Sequence, residues 1–135
     1  MNVHFSSQKL DWQTPDEVYK KLNLEFGFDF DPCPPNPQFD GLAVEWGEVN
    51  FVNPPYGRKI GKWLAKGYEE WIKGKTVVFL IPSRTDTKWW HQYVMGADEI
   101  RFICGRLKFK GAKNSAPFPS CIAVFRALRE RSFHG

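Results

Sequence analysis

Cysteine is scarce in this sequence. The three cysteines, Cys33, Cys104 and Cys121, stand far apart, odd in number, with no CxxC pair among them. That pattern argues against a zinc ribbon or a disulfide framework and fits a reducing compartment, so the expected location is cytoplasmic. Long apolar runs are missing too, and with them a membrane-spanning helix and the hydrophobic region of a secretory signal. His4, His91 and His134 are scattered, with no carboxylate grouping that suggests a metal site or a triad, so no metal is expected. Ser83 and Ser120 lack a Ser-His-Asp context, which leaves hydrolase chemistry without support. There is no internal repeat and no low-complexity tract.

What is present points to one folded domain. The chain has 135 residues, 42% of them hydrophobic and 16% aromatic, with 12 Phe and 6 Trp. Such a composition supports a packed core and leaves rings to spare for base stacking. A net charge of +4 is compatible with a nucleic-acid partner without requiring one. Residues 1–10 show no period and are expected to be a flexible lead-in arm to a single domain spanning 1–135.

Punctuation along the chain outlines an α/β order. In DWQTPDEVYKKLNLEFG, Thr14 suits a helix cap, Pro15 a first turn, Glu17 a capping box and Gly27 the end. Phe28–Asp31 alternates and predicts a short strand, halted by four prolines between 32 and 37. Val49–Val52 predicts a second strand, and 60–73 a helix weakened by Gly61 and Gly67. The run TVVFLI at 76–81 fits a strand buried on both faces. A helix over 87–94 and strands over 99–104 and 120–125 follow, with a basic loop between those strands that has room for a short strand at 106–109. Alternation of this kind predicts a layered α/β domain with a mostly parallel sheet and an antiparallel C-terminal strand pair. Asp31, Asn53 and Pro82 would then share the rim at the strands' carboxyl ends.

Asn53-Pro54-Pro55-Tyr56 is the most informative stretch. A planar NH2 on an aromatic ring or amide is a poor nucleophile because its lone pair is delocalised. Two acceptors that take its N–H bonds hold it as it pyramidalises. The Asn53 side-chain oxygen and the Pro54 carbonyl are natural acceptors, the prolines fix direction, and Tyr56 offers a stacking face. The plainer reading is a strand-ending turn with Tyr56 in the core.

This motif resembles the catalytic motif of S-adenosylmethionine-dependent amino-methyltransferases. More narrowly, the chain resembles the phage-type DNA N6-adenine methyltransferase (Dam) family. The matching blocks are DWQTP (11–15), EFGFDFDPC (25–33), DGL with Trp46, NPPYGRKIGKW (53–63), LIPSRTDTKWWHQYV (80–94), and EIRFICGRLKF with APFPS. The resemblance implies a minimal Rossmann-like class I methyltransferase fold and a site-specific, adenine-specific DNA methyltransferase acting on a flipped base. It implies S-adenosylmethionine as cofactor and double-stranded DNA as partner. Either a monomer or a homodimer fits.

By the same resemblance Asn53, Pro54, Pro55 and Tyr56 carry the chemistry. Thr14, Asp31, Pro32, Cys33, Asp40 and Asn53 surround the cofactor. The loop at 31–33 lacks the glycines of the general methyltransferase pattern, a departure shared within the phage-type family. The stretch from Asp31 to Val49 is also too short for the extra strands and helices of a full methyltransferase. Helix capping for Thr14 and a turn role for Asp31 stay open beside those assignments. On the DNA side, Arg58, Lys59, Arg84, Arg106, Lys108, Lys110 and Lys113 are candidates for phosphate contact, and Phe118 for stacking on the base. Taken singly, each cation reads equally as a solvated charge and Phe118 as core. Two rival readings also stay open: methylation of another planar amine, RNA guanine N2 or protein glutamine, and a catalytically inactive DNA-binding relative.

Overall fold

The computed structural model describes residues 12–128, so the lead-in arm expected at 1–10 lies outside the described residues. Helix α1 spans Asp16–Phe26, with acidic residues in its first turn, where the helix dipole favours them, and a left-handed Gly27 at its end. The expected Thr14 cap is not made. Pro15 takes the cap position and no side chain bonds the first turn.

Strand β1 (Val49–Val52) leads through the proline motif into helix α2 (Ile60–Ile72). Ile60, Trp63, Leu64, Gly67 and Trp71 line the buried side of α2 at i, i+3, i+4 spacing. Gly67 is a point of close approach: a Cβ there would lie 2.3 Å from the Phe79 ring. Strand β2 (Thr76–Pro82) is buried along its whole length. A short helix α3 (Lys88–Gln92) and a single 3-10 turn at Val94–Gly96 precede strand β3 (Glu99–Phe102), and β4 (Ser120–Phe125) closes the sheet.

Alternation along β2 builds the core in two layers. Val77, Phe79 and Ile81 pack with Trp63, Leu64, Trp71 and Trp90 from the α2–α3 side. Val78 and Leu80 pack on the other face with Leu22 of α1 and with Phe109 and Phe118 of the 103–119 loop.

The expectation of a mostly parallel, Rossmann-like sheet is overturned. The sheet has four strands in the order β1-β2-β4-β3. Only β1 and β2 pair parallel, while β4 is antiparallel to both its neighbours. A parallel pair needs a crossover, and α2 supplies one between β1 and β2. No helix lies between β3 and β4, so β4 returns against the grain and inserts beside β2. The strand expected at 28–31 shrinks to one bridge, Phe30 to Asn50, as the Asp29 carboxylate takes the N–H groups of Glu48 and Val49. No strand forms over 106–109 either. Lys110 instead bridges Gln13, its N–H donating to the Gln13 carbonyl at 2.9 Å.

This topology sets the site. β1 and β2 end at Val52 and Pro82, and antiparallel β4 begins at Ser120 opposite Pro82. Asn53, Ser83 and Ser120 therefore sit on one rim.

Candidate active site

β1 delivers Asn53 into a fully buried position directly after Val52, and the following Pro54 and Pro55 are buried as well. The Asn53 amide is held from one side. Its Nδ2 donates to the Trp12 carbonyl at 2.8 Å and to Thr14 Oγ1 at 3.0 Å. A backbone carbonyl only accepts, so the amide nitrogen must face Trp12. Oδ1 then points the other way and has no hydrogen-bond partner among the described residues. A buried carbonyl oxygen without a donor costs about 1–3 kcal/mol. Natural cores rarely keep such a group without a use.

Tyr56 is anchored across the sheet, its hydroxyl donating to the Leu80 carbonyl at 3.3 Å. Burial, with smaller contributions from Cys121 and Cys33, holds its phenol well above the usual range, so it stays a neutral donor. The Tyr56 ring lies in an aromatic cluster. Trp12 is near-parallel to it at 6.4 Å and 20°, and Phe118 stands edge-on at 5.6 Å and 75°. A cleft of about 490 Å³ opens beside this cluster, lined by Trp12, Tyr56, Ile60, Arg84, Trp89 and Phe118 among others.

A second cleft, of about 240 Å³, lies on the Thr14 side, with Tyr19, Lys20, Asp31, Phe51 and Lys110 in its wall. Asn53 is thus held by two residues, Trp12 and Thr14, that each line a different cleft. A further rim hydroxyl, that of Ser120, is buried without a hydrogen-bond partner among the described residues, while the Ser83 side chain bonds the Cys121 thiol. Next to Ser83 is the Cys121 thiol, which burial pushes up to about 11 and which is therefore not an activated nucleophile.

The remaining sequence candidates fall in several places. Asp31 lines the second cleft and accepts the Cys33 N–H at 2.9 Å, while Pro32 and Cys33 are buried behind it. Asp40 is exposed, closes a turn by accepting the Leu42 N–H, and lines neither cleft. Arg58, Lys59, Arg106, Lys108 and Lys113 are exposed. Arg84 lines the larger cleft and stands 5.9 Å over the Phe118 ring. Lys110 lines the smaller cleft and pairs with Asp16 at 3.3 Å. Phe118 is buried and forms part of the larger cleft's wall.

Reading the sequence for chemistry passes over Trp12. Its carbonyl orients Asn53 and its ring contacts Tyr56, Phe109 and Phe118. Only its place in the DWQTP block marks it, since an isolated aromatic outside any period carries no local signal.

Comparison with known proteins gives this site a family. The DNA N-6-adenine-methyltransferase (Dam) family model matches residues 3–132. A DNA N-6-adenine-methyltransferase of Haemophilus phage HP1 (strain HP1c1) is 30% identical over 105 residues, which are 68% of this chain and 61% of the phage protein. The chain therefore spans less than two thirds of that relative's length. No solved structure matches. With the family model covering nearly the whole chain and the Asn53 site built around the motif, the chain belongs to the DNA N-6-adenine-methyltransferase (Dam) family.

Proposed function

We propose that this chain transfers a methyl group from S-adenosylmethionine to the N6 amine of adenine in double-stranded DNA. The observation that carries the reading is Asn53 Oδ1, a buried acceptor at a strand end with no donor among the described residues. An exocyclic amine supplies the missing donor. In this reading Oδ1 takes one N6–H, the Pro54 carbonyl takes the other, and the amine is held as its lone pair localises. Asn53 needs no proton of its own for this, because a neutral carbonyl is the acceptor.

The smaller cleft suits the cofactor by its donor set. A zwitterionic amino-acid end matches a wall bearing the Asp31 carboxylate and the Lys20 ammonium, while Tyr19 and Phe51 offer apolar surface to a purine. Asp31, Tyr19 and Phe51 would hold it there. When bound, S-adenosylmethionine supplies a methyl group on a cationic sulfur, already electrophilic. Adenine inside a duplex cannot reach a buried Asn53, so the base is flipped into the larger cleft, beside Tyr56 and Phe118. Arg84 at the cleft and the cations of the 103–119 loop contact phosphates.

The test is methyl transfer from labelled S-adenosylmethionine to unmethylated duplex DNA, with the nucleosides resolved by mass spectrometry. N6-methyladenine formed by the wild type and absent with Asn53→Ala supports the proposal. Cofactor binding without DNA methylation overturns the DNA reading and turns attention to RNA and protein amines. No cofactor binding by calorimetry overturns the methyltransferase reading for this chain.

A further inference from the structure

We infer that Thr14 is a positioning residue for the reaction, acting through Asn53 rather than through the cofactor. This rests on the adenine methyltransferase reading above. Thr14 has the residue type and spacing of a helix cap, yet α1 takes Pro15 as its cap and leaves the Thr14 hydroxyl out. The hydroxyl instead accepts from Asn53 Nδ2 at 3.0 Å, across 39 residues of sequence.

The two anchors on that amide differ in kind. The Trp12 carbonyl at 2.8 Å decides which end of the amide faces inward, because it only accepts. One bond leaves the amide plane free to swing about it. The second bond, to Thr14, removes that freedom and fixes where Oδ1 points. Thr14 is well suited to this, since its β-branched side chain is stiff at χ1. Its backbone is also held on both sides: the Gln13 carbonyl accepts the Lys110 N–H at 2.9 Å, and the Pro15 carbonyl accepts the Tyr19 N–H at 3.2 Å. The unpartnered Oδ1 is the product of this clamp. A clamp that held the amide for stability alone would have no reason to leave its oxygen buried without a donor.

Thr14 also lines the smaller cleft, so a direct cofactor role is the competing account, and the two separate kinetically. Thr14→Val keeps the shape and removes the acceptor. As positioning loss, it lowers kcat roughly 10- to 100-fold at saturating cofactor and DNA, with both KM values within about twofold. Thr14→Ser, which restores the hydroxyl, returns kcat to within about threefold of wild type. A rise in cofactor KM with kcat unchanged at saturation overturns the proposal, as does a folded Thr14→Ser protein no better than Thr14→Val.

A second readout needs no turnover. In 15N-labelled protein the Asn53 side-chain NH2, assigned by its loss in Asn53→Ala, should exchange slowly with solvent and quicken in Thr14→Val. Unchanged exchange in Thr14→Val overturns the clamp. If the wild type methylates no DNA, the functional reading fails while this measurement still decides the clamp by itself.

Discussion

Two buried asparagines three residues apart on one chain segment are treated in opposite ways. Asn50, inside β1, is fully paired: its Oδ1 accepts the Gly47 N–H at 2.9 Å, and its Nδ2 donates to the carbonyls of Gly47 and Thr76 at 2.9 and 3.1 Å. Asn53, just past the strand, has its nitrogen paired and its oxygen left alone. The contrast extends to the two ends of the sheet. Below Asn50, the fully buried Glu70 accepts from Lys75 at 2.6 Å, from Lys66 and Lys73 at 3.0 Å, and from the Trp46 N–H at 3.2 Å. At the opposite rim, Asn53 and Ser120 each keep a buried side-chain oxygen with no hydrogen-bond partner among the described residues. The polar groups of one end are spent on one another. In the proposed function, the open acceptor at the other end takes the substrate's amine.

Substitutions at the paired end should therefore strike stability, and substitutions at the rim should strike chemistry. The largest expected effect is Glu70→Ala, which strands the buried Lys75 ammonium and costs about 3–5 kcal/mol in urea unfolding. If the variant unfolds like the wild type, the Glu70 cluster is not a structural anchor and the contrast fails.

The same carboxylate sets a pH window. Burial by itself would raise its pKa, but the ammonium groups of Lys75, Lys66 and Lys73 and the Trp46 N–H pull it down from 4.5 to about 2. A depressed folded-state value means the unfolded chain binds the proton more readily. The stabilisation is fully present above about pH 4.5 and is lost as pH falls towards 2. Unfolding curves at pH 7, 4 and 3 should show a loss of about 2 kcal/mol between pH 7 and 3, flattened in Glu70→Gln. An equally steep decline in Glu70→Gln would assign it to other groups.

The smallest effect separates the cations of the two ends. Lys66, Lys73 and Lys75 are committed to Glu70, whereas Arg106, Lys108 and Lys113 are exposed on the loop from β3 to β4. Replacing those three loop residues with alanine should flatten the salt dependence of DNA binding, by about 0.9 in log–log slope for each phosphate they neutralise. The melting temperature should hardly change. An unchanged slope would remove this loop from the DNA interface.

Much of this site is legible in the sequence, for reasons that are local. The proline motif ends a strand by its own chemistry, and the apolar periods of α1, α2 and β2 mark those elements without outside help. What is not legible depends on distant partners. The missing helix between β3 and β4 predicts their antiparallel pairing, which forms, but nothing in SCIAVF announces that β4 inserts beside β2 and runs antiparallel to it as well. A Thr-Pro-x-Glu stretch looks the same whether its hydroxyl caps a helix or reaches 39 residues on to hold Asn53. Glu70 and Lys75 likewise look like ordinary surface charges in sequence, because their burial follows from how α2 lies on the sheet.

The central claim, that the partner missing from Asn53 is the substrate's amine, is tested most directly by one substitution made at two positions. Asn50→Ala and Asn53→Ala are compared for melting temperature and for methyl transfer per folded molecule to unmethylated duplex DNA. The account predicts that Asn50→Ala melts lower but keeps its rate per folded molecule. Asn53→Ala should melt closer to the wild type and lose transfer by roughly 10²- to 10³-fold. Asn53→Ala that retains its rate, or that loses it only by unfolding as Asn50→Ala does, would contradict the claim.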